Sequence, residues 1–268
     1  MQTKKPMVLF SELKGVLSIE LNRPEALNAL NLECAEHISK QLQIWRKRLD
    51  SAKNHVYALV LRANETNSRS IWASGGDLKE HQTMSTKQAK LFISLMQQVA
   101  LKIREFPVPT FALIDGRALG GAAELALFCD IRLATSVSSL SFPQIKLGLS
   151  TGFLGARRLV ELIGVGRVAE TLFLTKELSS EKALEWGLIH GLSADSAQLK
   201  KSLRSQLNHL EQLDIKALRA QKKLLLSASS VSYSKGEIKK DFSTFFALWK
   251  AEGHQRALNQ FASRPRIQ

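Results

Sequence analysis

The segment from Gly116 to Asp130, GRALGGAAELALFCD, constrains the fold of this chain more than any other. It contains a glycine pair, Gly120 and Gly121, ahead of a small and apolar run that one carboxylate, Glu124, interrupts one turn later. The preceding residues, 110–114 (TFALI), are apolar or β-branched and predict a buried strand. The order of strand, short loop, glycine pair and buried helix is typical of an α/β protein.

A glycine pair at the start of a helix suits a site for an oxygen that becomes negatively charged. The first N–H groups of a helix have no partner within it, and they lie at the positive end of its dipole. Glycine lets a ligand approach this part of the backbone closely. Glu124 follows Gly121 by three residues, which places it on the same face of the helix. The segment therefore combines a candidate anion site with a candidate acid or base.

Composition narrows the class of protein. The chain has 268 residues, 44% of them hydrophobic, which is enough for one large α/β domain or a core with a smaller appendage. Its two cysteines, Cys34 and Cys129, lie in apolar helical patterns and predict core packing in a reducing compartment. The N-terminus lacks a signal-peptide pattern, and no apolar run reaches the length of a membrane span. We expect a cytoplasmic protein with no membrane association.

The net charge of +14 is compatible with polyanionic partners, which include nucleic acid, an anionic membrane and a phosphate-rich small ligand. The charge alone does not choose among them, since a solvated basic surface gives the same balance. The tetrad at 45–48 (WRKR), with Lys40 before it and Lys53 after it, predicts a basic helix end. Such an end more often complements the helix dipole than binds RNA.

Periodicity predicts alternating strands and helices over the first two thirds of the chain, and hence parallel βαβ units. From about residue 197 the sequence is helical and strongly charged. A change of composition near 192–195 divides an α/β core, 1–194, from a helical C-terminal region, 195–268. The clearest predicted helix starts are Asn31, Ser179 and a capping box formed by Ser85 and Gln88.

Five motifs, in order along nearly the whole chain, resemble the enoyl-CoA hydratase/isomerase (crotonase) family. They are Leu21–Leu30 (LNRPEALNAL), Trp72–Glu80 (WASGGDLKE), Ile114–Asp130 (IDGRALGGAAELALFCD), Phe142–Gly148 (FPQIKLG) and Ser179–Gly191 (SSEKALEWGLIHG). The resemblance implies an α/β crotonase-like spiral of ββα units, of the ClpP/crotonase type. It also implies that the helical C-terminal region forms homotrimers or dimers of trimers.

The resemblance further implies an acyl-CoA thioester substrate and an enolate intermediate. The backbone N–H groups of Ser74 and Gly121 would form an oxyanion hole for the thioester oxygen, and Glu124 would act as the general acid or base. The alternative for Glu124 is an ordinary helix glutamate that pairs with Arg117 or Arg132.

Other positions follow from the same motifs. Coenzyme A, as part of the substrate and not a resident cofactor, would contact the opening segment, the first loop and the C-terminal helix, through Ala26, Asn28, Ala73, Gly76, Asp77, Leu78, Phe261 and Arg264. The loop that helps to hold the catalytic water in hydratases corresponds to Pro143, Ser150 and Gly152. The six histidines lack metal-ligand spacing, so we expect no metal site. His81 is expected in a surface loop rather than in the acyl pocket.

Gln144 departs from the hydratase pattern, which has a second glutamate at this position. A glutamine side chain orients water but supplies no proton at neutral pH. Gln144 therefore favours double-bond isomerisation, which one carboxylate can serve, or decarboxylation of a malonyl-type thioester, over hydration. Two further hypotheses are an RNA-binding homologue with weak activity, since one relative binds RNA through its first helix, and a structural subunit without chemistry.

Overall fold

Alternating strands and helices make up the computed structural model, which describes residues 5–49, 55–65, 70–229 and 233–263. The strands of these residues are β1 (Val8–Leu13), β2 (Val16–Leu21), β3 (Ala58–Ala63), β4 (Ile71–Ala73), β5 (Thr110–Ile114), β6 (Arg117–Leu119), β7 (Ile131–Thr135), β8 (Ser139–Ser141), β9 (Leu178–Ser179) and β10 (Gly191–Ser193). The helices are α1 (Leu32–Leu49), α2 (Leu78–Thr83), α3 (Thr86–Arg104), α4 (Gly121–Leu127), α5 (Gly155–Phe173), α6 (Ser180–Glu185), α7 (Ser196–Glu211), α8 (Ile215–Ser227), α9 (Lys235–Trp249) and α10 (Glu252–Ala262).

The strands form two sheets. The larger has the order β1-β2-β3-β5-β7-β10 and the smaller the order β4-β6-β8-β9. All neighbouring pairs are parallel except β1 with β2 and β8 with β9. The predicted parallel units are confirmed, since each parallel pair is joined by a crossover, as such pairing requires.

Three consecutive segments repeat one plan, in which a strand of the larger sheet is followed by a strand of the smaller sheet and then by helix. The first comprises β3, β4, α2 and α3, the second β5, β6 and α4, and the third β7, β8 and α5. Because β4, β6 and β8 are parallel neighbours, their carboxyl ends lie side by side. The loops after these three strands therefore converge, and they carry the motifs that the sequence singled out.

The predicted helix starts are confirmed. Asn31 Oδ1 accepts a hydrogen bond of 2.9 Å from the Cys34 N–H at the start of α1. Ser85 and Gln88 form a reciprocal capping box at α3, and the Ser179 hydroxyl accepts from Lys182 N–H at α6. The sequence places these helices correctly because their starts depend on local side-chain chemistry.

Residues at the basic end of α1 make packing, hydrogen-bond and ion-pair contacts within the protein. Trp45 is buried and packs edge-on against Phe10, with ring centroids 5.8 Å apart. Arg46 donates to the Glu105 carbonyl at 2.8 Å, and Arg48 pairs with Glu12 at 2.6 Å. Trp45 therefore offers no exposed ring for base stacking, while Lys53 lies outside the described residues.

The C-terminal helices share the main apolar core. Phe245, Phe246 and Trp249 of α9 belong to the same buried cluster as the strands of the larger sheet. In α10, His254 Nδ1 lies 2.7 Å from the Leu147 carbonyl oxygen. The core thus crosses the predicted boundary at 194/195, and a trimerisation role for this region stays a prediction. No helix in the described part of the chain has the length and apolar character needed to cross a bilayer.

Candidate active site

A cavity of about 1050 Å³ lies where the loops after β4, β6 and β8 converge. Eleven of the residues that the sequence assigned to the site line it, and they come from six separate segments of the chain. These are Ala26, Ser74, Gly76, Asp77, Leu78, Gly121, Glu124, Pro143, Gln144, Gly152 and Phe261. The topology thus brings together residues that are up to 235 positions apart, from Ala26 to Phe261 (261 − 26).

Three predicted residues are not at the cavity wall, and we correct their placement. Asn28 is 1% exposed, and its amide donates to the Trp72 carbonyl at 3.0 Å, so its side chain braces the opening segment. Ala73 is fully buried in β4. Ser150 lies outside the lining, with its hydroxyl turned to the Thr151 carbonyl at 3.5 Å. Arg264 lies outside the described residues.

The Ser74 N–H is not available as an oxyanion donor, which corrects the predicted pair. It donates to the Leu27 carbonyl at 2.9 Å and so ties the first loop to the opening segment. Leu30 N–H donates to the Gly75 carbonyl, and Asp77 N–H to the Leu30 carbonyl, which forms a parallel bridge around Gly76. In a parallel bridge of this kind, the N–H group of the central residue, here Gly76, points away from the segment with which its neighbours pair.

The N–H groups of Gly76 and Gly121 lie at the cavity, and neither donates to an acceptor among the described residues. Gly121 is the first residue of α4, where intrahelical partners are absent. The two loops touch, since a Cβ placed on Gly75 would lie 3.1 Å from the Gly121 nitrogen. Free N–H groups on touching loops at one cavity are the arrangement that binds an oxyanion.

The Glu124 carboxylate accepts four hydrogen bonds. Its Oε2 accepts from the N–H groups of Phe153 at 2.8 Å and Gly155 at 2.9 Å. Its Oε1 accepts from Gln144 Nε2 at 2.6 Å and from the Gly152 N–H at 3.2 Å. Three of these donors belong to the backbone of the turn before α5, so this turn fixes the carboxylate beside Gly121.

Burial raises the pKa of Glu124 from its ordinary value of 4.5 to about 7. The residue is only 1% exposed, and removal of water penalises the charged form. The backbone N–H groups of Phe153, Gly155 and Gly152 and the Gln144 amide act in the opposite direction, because they stabilise the ionised form. A carboxyl group with this pKa exchanges a proton readily at neutral pH.

Position 155 requires glycine because its backbone lies very close to the Glu124 carboxylate. A Cβ at this position would lie 2.5 Å from Glu124 Oε2 and 2.6 Å from Cδ. No side chain fits there unless Glu124 moves. The sequence showed this glycine only as part of a turn-rich loop, because the partner it contacts is 31 residues away.

Neither arginine proposed as a partner of Glu124 contacts it. Arg117 forms a two-bond ion pair with Glu177, at 2.7 and 2.8 Å. Arg132 is fully buried and donates to the carbonyls of Leu188 and Cys129. The hypothesis of an ordinary ion-paired helix glutamate is therefore wrong.

Comparison with known proteins decides the family. The model of the enoyl-CoA hydratase/isomerase family matches residues 11–267. An enoyl-CoA isomerase/hydratase of Mycosarcoma maydis is 32% identical over 260 residues, which are 95% of this chain and 92% of that protein. The chain belongs to the enoyl-CoA hydratase/isomerase family. A mitochondrial methylglutaconyl-CoA hydratase of Homo sapiens is 35% identical over 181 residues, 68% of this chain and 51% of that protein.

The fold is crotonase-like. An enoyl-CoA hydratase from Bacillus halodurans superposes with a TM-score of 0.85 at 23% identity, covering 95% of this chain and all of the other. The implied spiral of ββα units is confirmed, because the three repeated segments follow that plan.

Charged side chains also line the cavity of this family member. Arg23 pairs with Asp77 at 2.8 Å, and both side chains are mostly buried. Burial raises the pKa of Asp77, but Arg23 and the N–H groups of the first turn of α2 outweigh it and hold the pKa below its ordinary value. Lys79 and Lys146 also line the cavity. Arginine and lysine side chains suit phosphate groups.

His81 is in the cavity wall of this family member, not in a surface loop as expected. It is 8% exposed, because Trp249 of α9 packs edge-on against its ring at 4.6 Å and Phe92 lies at 5.4 Å. Sequence analysis also missed Phe153 and Phe245, which line the cavity. No local signal identifies them, since their place depends on α5 and α9 packing against the loops.

Proposed function

We propose that this protein moves the double bond of an enoyl-CoA between the 3,4 and 2,3 positions, through an enolate held at the Gly76 and Gly121 N–H groups. One observation carries the proposal: Glu124 is a buried carboxylate beside these donors, and its side-chain partner is an amide, Gln144, at 2.6 Å. Isomerisation needs one group that takes a proton and returns it, whereas hydration divides the work between two groups.

The proposed reaction begins with ionised Glu124, which removes a proton from Cα of a 3-enoyl-CoA. The electron pair of the C–H bond moves toward the thioester carbonyl, whose oxygen becomes negative and accepts hydrogen bonds from Gly76 and Gly121. The protonated Glu124 then donates the same proton to Cγ, and the electrons return to form the 2,3 double bond. No proton or electron is gained or lost overall.

The energetic requirements fit the site. Each oxyanion donor typically lowers the barrier by about 3–4 kcal/mol, and proton transfer by a positioned group contributes roughly 10²- to 10⁴-fold in rate. A pKa of about 7 lets Glu124 act as base and then as acid within one turnover near neutral pH. The substrate brings its own CoA, so the proposal needs no resident cofactor, and trimers or dimers of trimers remain the expected assembly.

Hydration is the second candidate, and one observation favours it. Gln144 Oε1 is buried and has no hydrogen-bond partner among the described residues. An amide oxygen accepts a hydrogen bond from water, so Gln144 can orient a water molecule while its Nε2 keeps the hydrogen bond to Glu124. The relative from Mycosarcoma maydis is named an isomerase/hydratase.

The test measures turnover of the purified full chain with three thioesters: 3-hexenoyl-CoA, crotonyl-CoA and methylmalonyl-CoA. We expect the conjugated 2-enoyl product from 3-hexenoyl-CoA, and crotonyl-CoA hydration that is at least about 100-fold slower. Faster hydration of crotonyl-CoA would replace isomerisation by the second candidate. Turnover of methylmalonyl-CoA alone would replace both by decarboxylation.

Substitution of the proposed base gives an independent check. Glu124→Gln should reduce isomerisation by about 10³-fold, because the amide cannot accept the proton. Glu36→Gln is the matched control, since Glu36 is an exposed helix glutamate of α1 and should keep wild-type turnover. Full activity of Glu124→Gln would remove Glu124 from the mechanism.

A further inference from the structure

His81 presents hydrogen-bonding capacity that no residue in the described part of the chain uses. Within the described residues, both of its ring nitrogens are buried and have no hydrogen-bond partner. A buried polar group without a partner destabilises a fold, and such groups in natural proteins call for an explanation. Gln144 Oε1, also at the cavity, is in the same state.

The ring of His81 belongs to the acyl side of the cavity. A continuous set of contacts joins the two free N–H donors. Gly76 contacts the ring of His81, and that ring packs against Phe92. Phe92 packs in turn against Phe153, whose ring covers Gly121. Apart from His81, the side chains of this wall are phenylalanines.

His81 is close to the place where a thioester would be bound. A Cβ on Gly76 would lie 2.6 Å from Cε1 and 3.1 Å from Nε2 of the ring. An acyl chain that leaves a thioester oxygen bound at Gly76 therefore passes His81 within its first few carbons. A 180° turn of the ring exchanges Cε1 with Nε2 and Nδ1 with Cδ2 at little cost in shape, so a nitrogen can occupy the position beside Gly76 that Cε1 occupies here.

The ring is uncharged at neutral pH. Burial lowers the pKa of His81 to about 4, with a further decrease from nearby His254, and Asp77 acts weakly in the other direction. A neutral imidazole has one donor and one acceptor, which suit a hydroxyl or a carbonyl oxygen. A carboxylate fits less well, since the surrounding rings of Phe92 and Trp249 supply no compensating charge.

We propose that His81 makes the acyl site selective for acyl groups that carry an uncharged oxygen, as a hydroxyl or a carbonyl, beyond Cβ. This inference rests on the proposed acyl-CoA function and adds the class of acyl group. His81 is a specificity-determining residue in this proposal, and Glu124 remains the residue that moves the proton.

The experiment measures binding of unreactive saturated thioesters with equal chain length, so that turnover is not needed. Calorimetry of the full chain compares hexanoyl-CoA with 5-hydroxyhexanoyl-CoA and 5-oxohexanoyl-CoA. We expect at least one oxygen-bearing thioester to bind about 10-fold more tightly than hexanoyl-CoA, as one added hydrogen bond in a buried site provides. Adipoyl-CoA, which ends in a carboxylate, should bind no better than hexanoyl-CoA.

Two variants separate the hydrogen bond from packing. His81→Leu should abolish the 10-fold preference, measured within each variant as the ratio of its affinities for the oxygen-bearing thioester and for hexanoyl-CoA, and His81→Gln should retain part of the preference. Equal affinities for all thioesters in the wild-type protein would overturn the inference and leave the proposed function intact, with water as the partner of His81. Tightest binding of adipoyl-CoA would also overturn it. Failure to bind even hexanoyl-CoA would reject the proposed function itself.

Discussion

Four donors hold the Glu124 carboxylate, and only one of them, Gln144, is a side chain. The other three are backbone N–H groups, which no substitution removes directly. Position 144 is therefore where the chemistry of the site is most open to change by a single residue. Because residue 144 is a glutamine, Glu124 is the one carboxylate of the Gln144–Glu124 pair, and for this reason we prefer isomerisation to hydration.

Gln144→Glu should convert the site toward hydration. With a carboxylate 2.6 Å from Glu124 Oε1 in place of the amide, the pair can hold one proton between them, so that one group is the base and the other the acid. We expect crotonyl-CoA hydration to increase by about 10²-fold, the lower range for an added acid or base. The measurement is the loss of enoyl thioester absorbance at a series of pH values.

The control for this change is Gln98→Glu, on the exposed side of α3 and far in sequence from the loops of the site. It adds the same charge and should leave hydration at the wild-type level. If Gln144→Glu remains folded, binds hexanoyl-CoA and still hydrates no faster than wild type, then the absence of a second carboxylate is not what limits hydration.

At the residue scale, motif order predicted which loops form the site but not how each backbone group is used. Gly121 and Glu124 are three residues apart on one helix, so their common face follows from helix geometry. The first loop is different, because the choice between the N–H groups of Ser74 and Gly76 depends on pairing with Leu27 and Leu30, about 45 residues away. That pairing has no local signature.

Helix α9 acts as an element of the acyl site although it follows the predicted core boundary. Phe245 is 4% exposed and lines the cavity, and a Cβ on Gly152 would lie 2.7 Å from its ring. Trp249, one turn later, covers His81. This helix therefore forms a wall of the pocket, and its side chains set the space available to an acyl chain.

Phe245→Ala should enlarge the acyl pocket and destabilise the protein. Truncation of a buried phenylalanine costs about 3 kcal/mol in the free energy of unfolding, and the new space should lower the KM for decenoyl-CoA relative to hexenoyl-CoA. Leu248→Ala is the matched control on the same helix, because Leu248 is 36% exposed and is not part of the lining. Denaturant unfolding and chain-length kinetics measure both effects. Identical chain-length profiles for the two variants would show that α9 does not bound the pocket.

The larger sheet was more predictable than the smaller one. Strands such as β2 and β5 are five or six residues long, with alternating or continuous apolar patterns that periodicity detects. Strands β4 and β6 have three residues each, too few for a period. They lie side by side because of the parallel crossovers, so periodicity alone does not show the repeated ββα plan, which the sequence indicated only through its family resemblance.

Over the whole molecule, two buried carboxylates respond to pH in opposite ways. Glu161 accepts from Arg104, Arg158, Ser229 and Tyr233, so it links α3 and α5 to the segment that leads into α9. Burial raises its pKa, but these donors outweigh burial and lower the pKa to about 2. Glu124 has its pKa raised to about 7 instead. One carboxylate stabilises the fold when ionised, and the other resists ionisation.

The sign of each effect follows from proton binding by the folded and unfolded chains. Between pH 4.5 and about 7 the folded chain keeps a proton on Glu124 that the unfolded chain has lost, so this group lowers stability as pH rises. Between pH 4.5 and about 2 the unfolded chain binds a proton that Glu161 in the folded chain does not, so that group lowers stability as pH falls. A difference between each variant and the wild type isolates each group, because all other titrations cancel.

The quantity to compare is the free energy of unfolding of a variant minus that of the wild type. For Glu124→Gln we expect this difference to increase by roughly 3 kcal/mol from pH 4.5 to pH 8, because each unit of pKa shift corresponds to about 1.36 kcal/mol. The same difference for Glu161→Gln should decrease over the range from pH 2.5 to pH 5, because the unfolded wild-type chain loses over this range a proton that Glu161 in the folded chain already lacks. Glu36→Gln, the same substitution at an exposed position of α1, is measured beside them as the control. A flat difference for Glu124→Gln would mean that its carboxyl titrates at an ordinary pKa, and the proton shuttle proposed for this site would lose its physical basis.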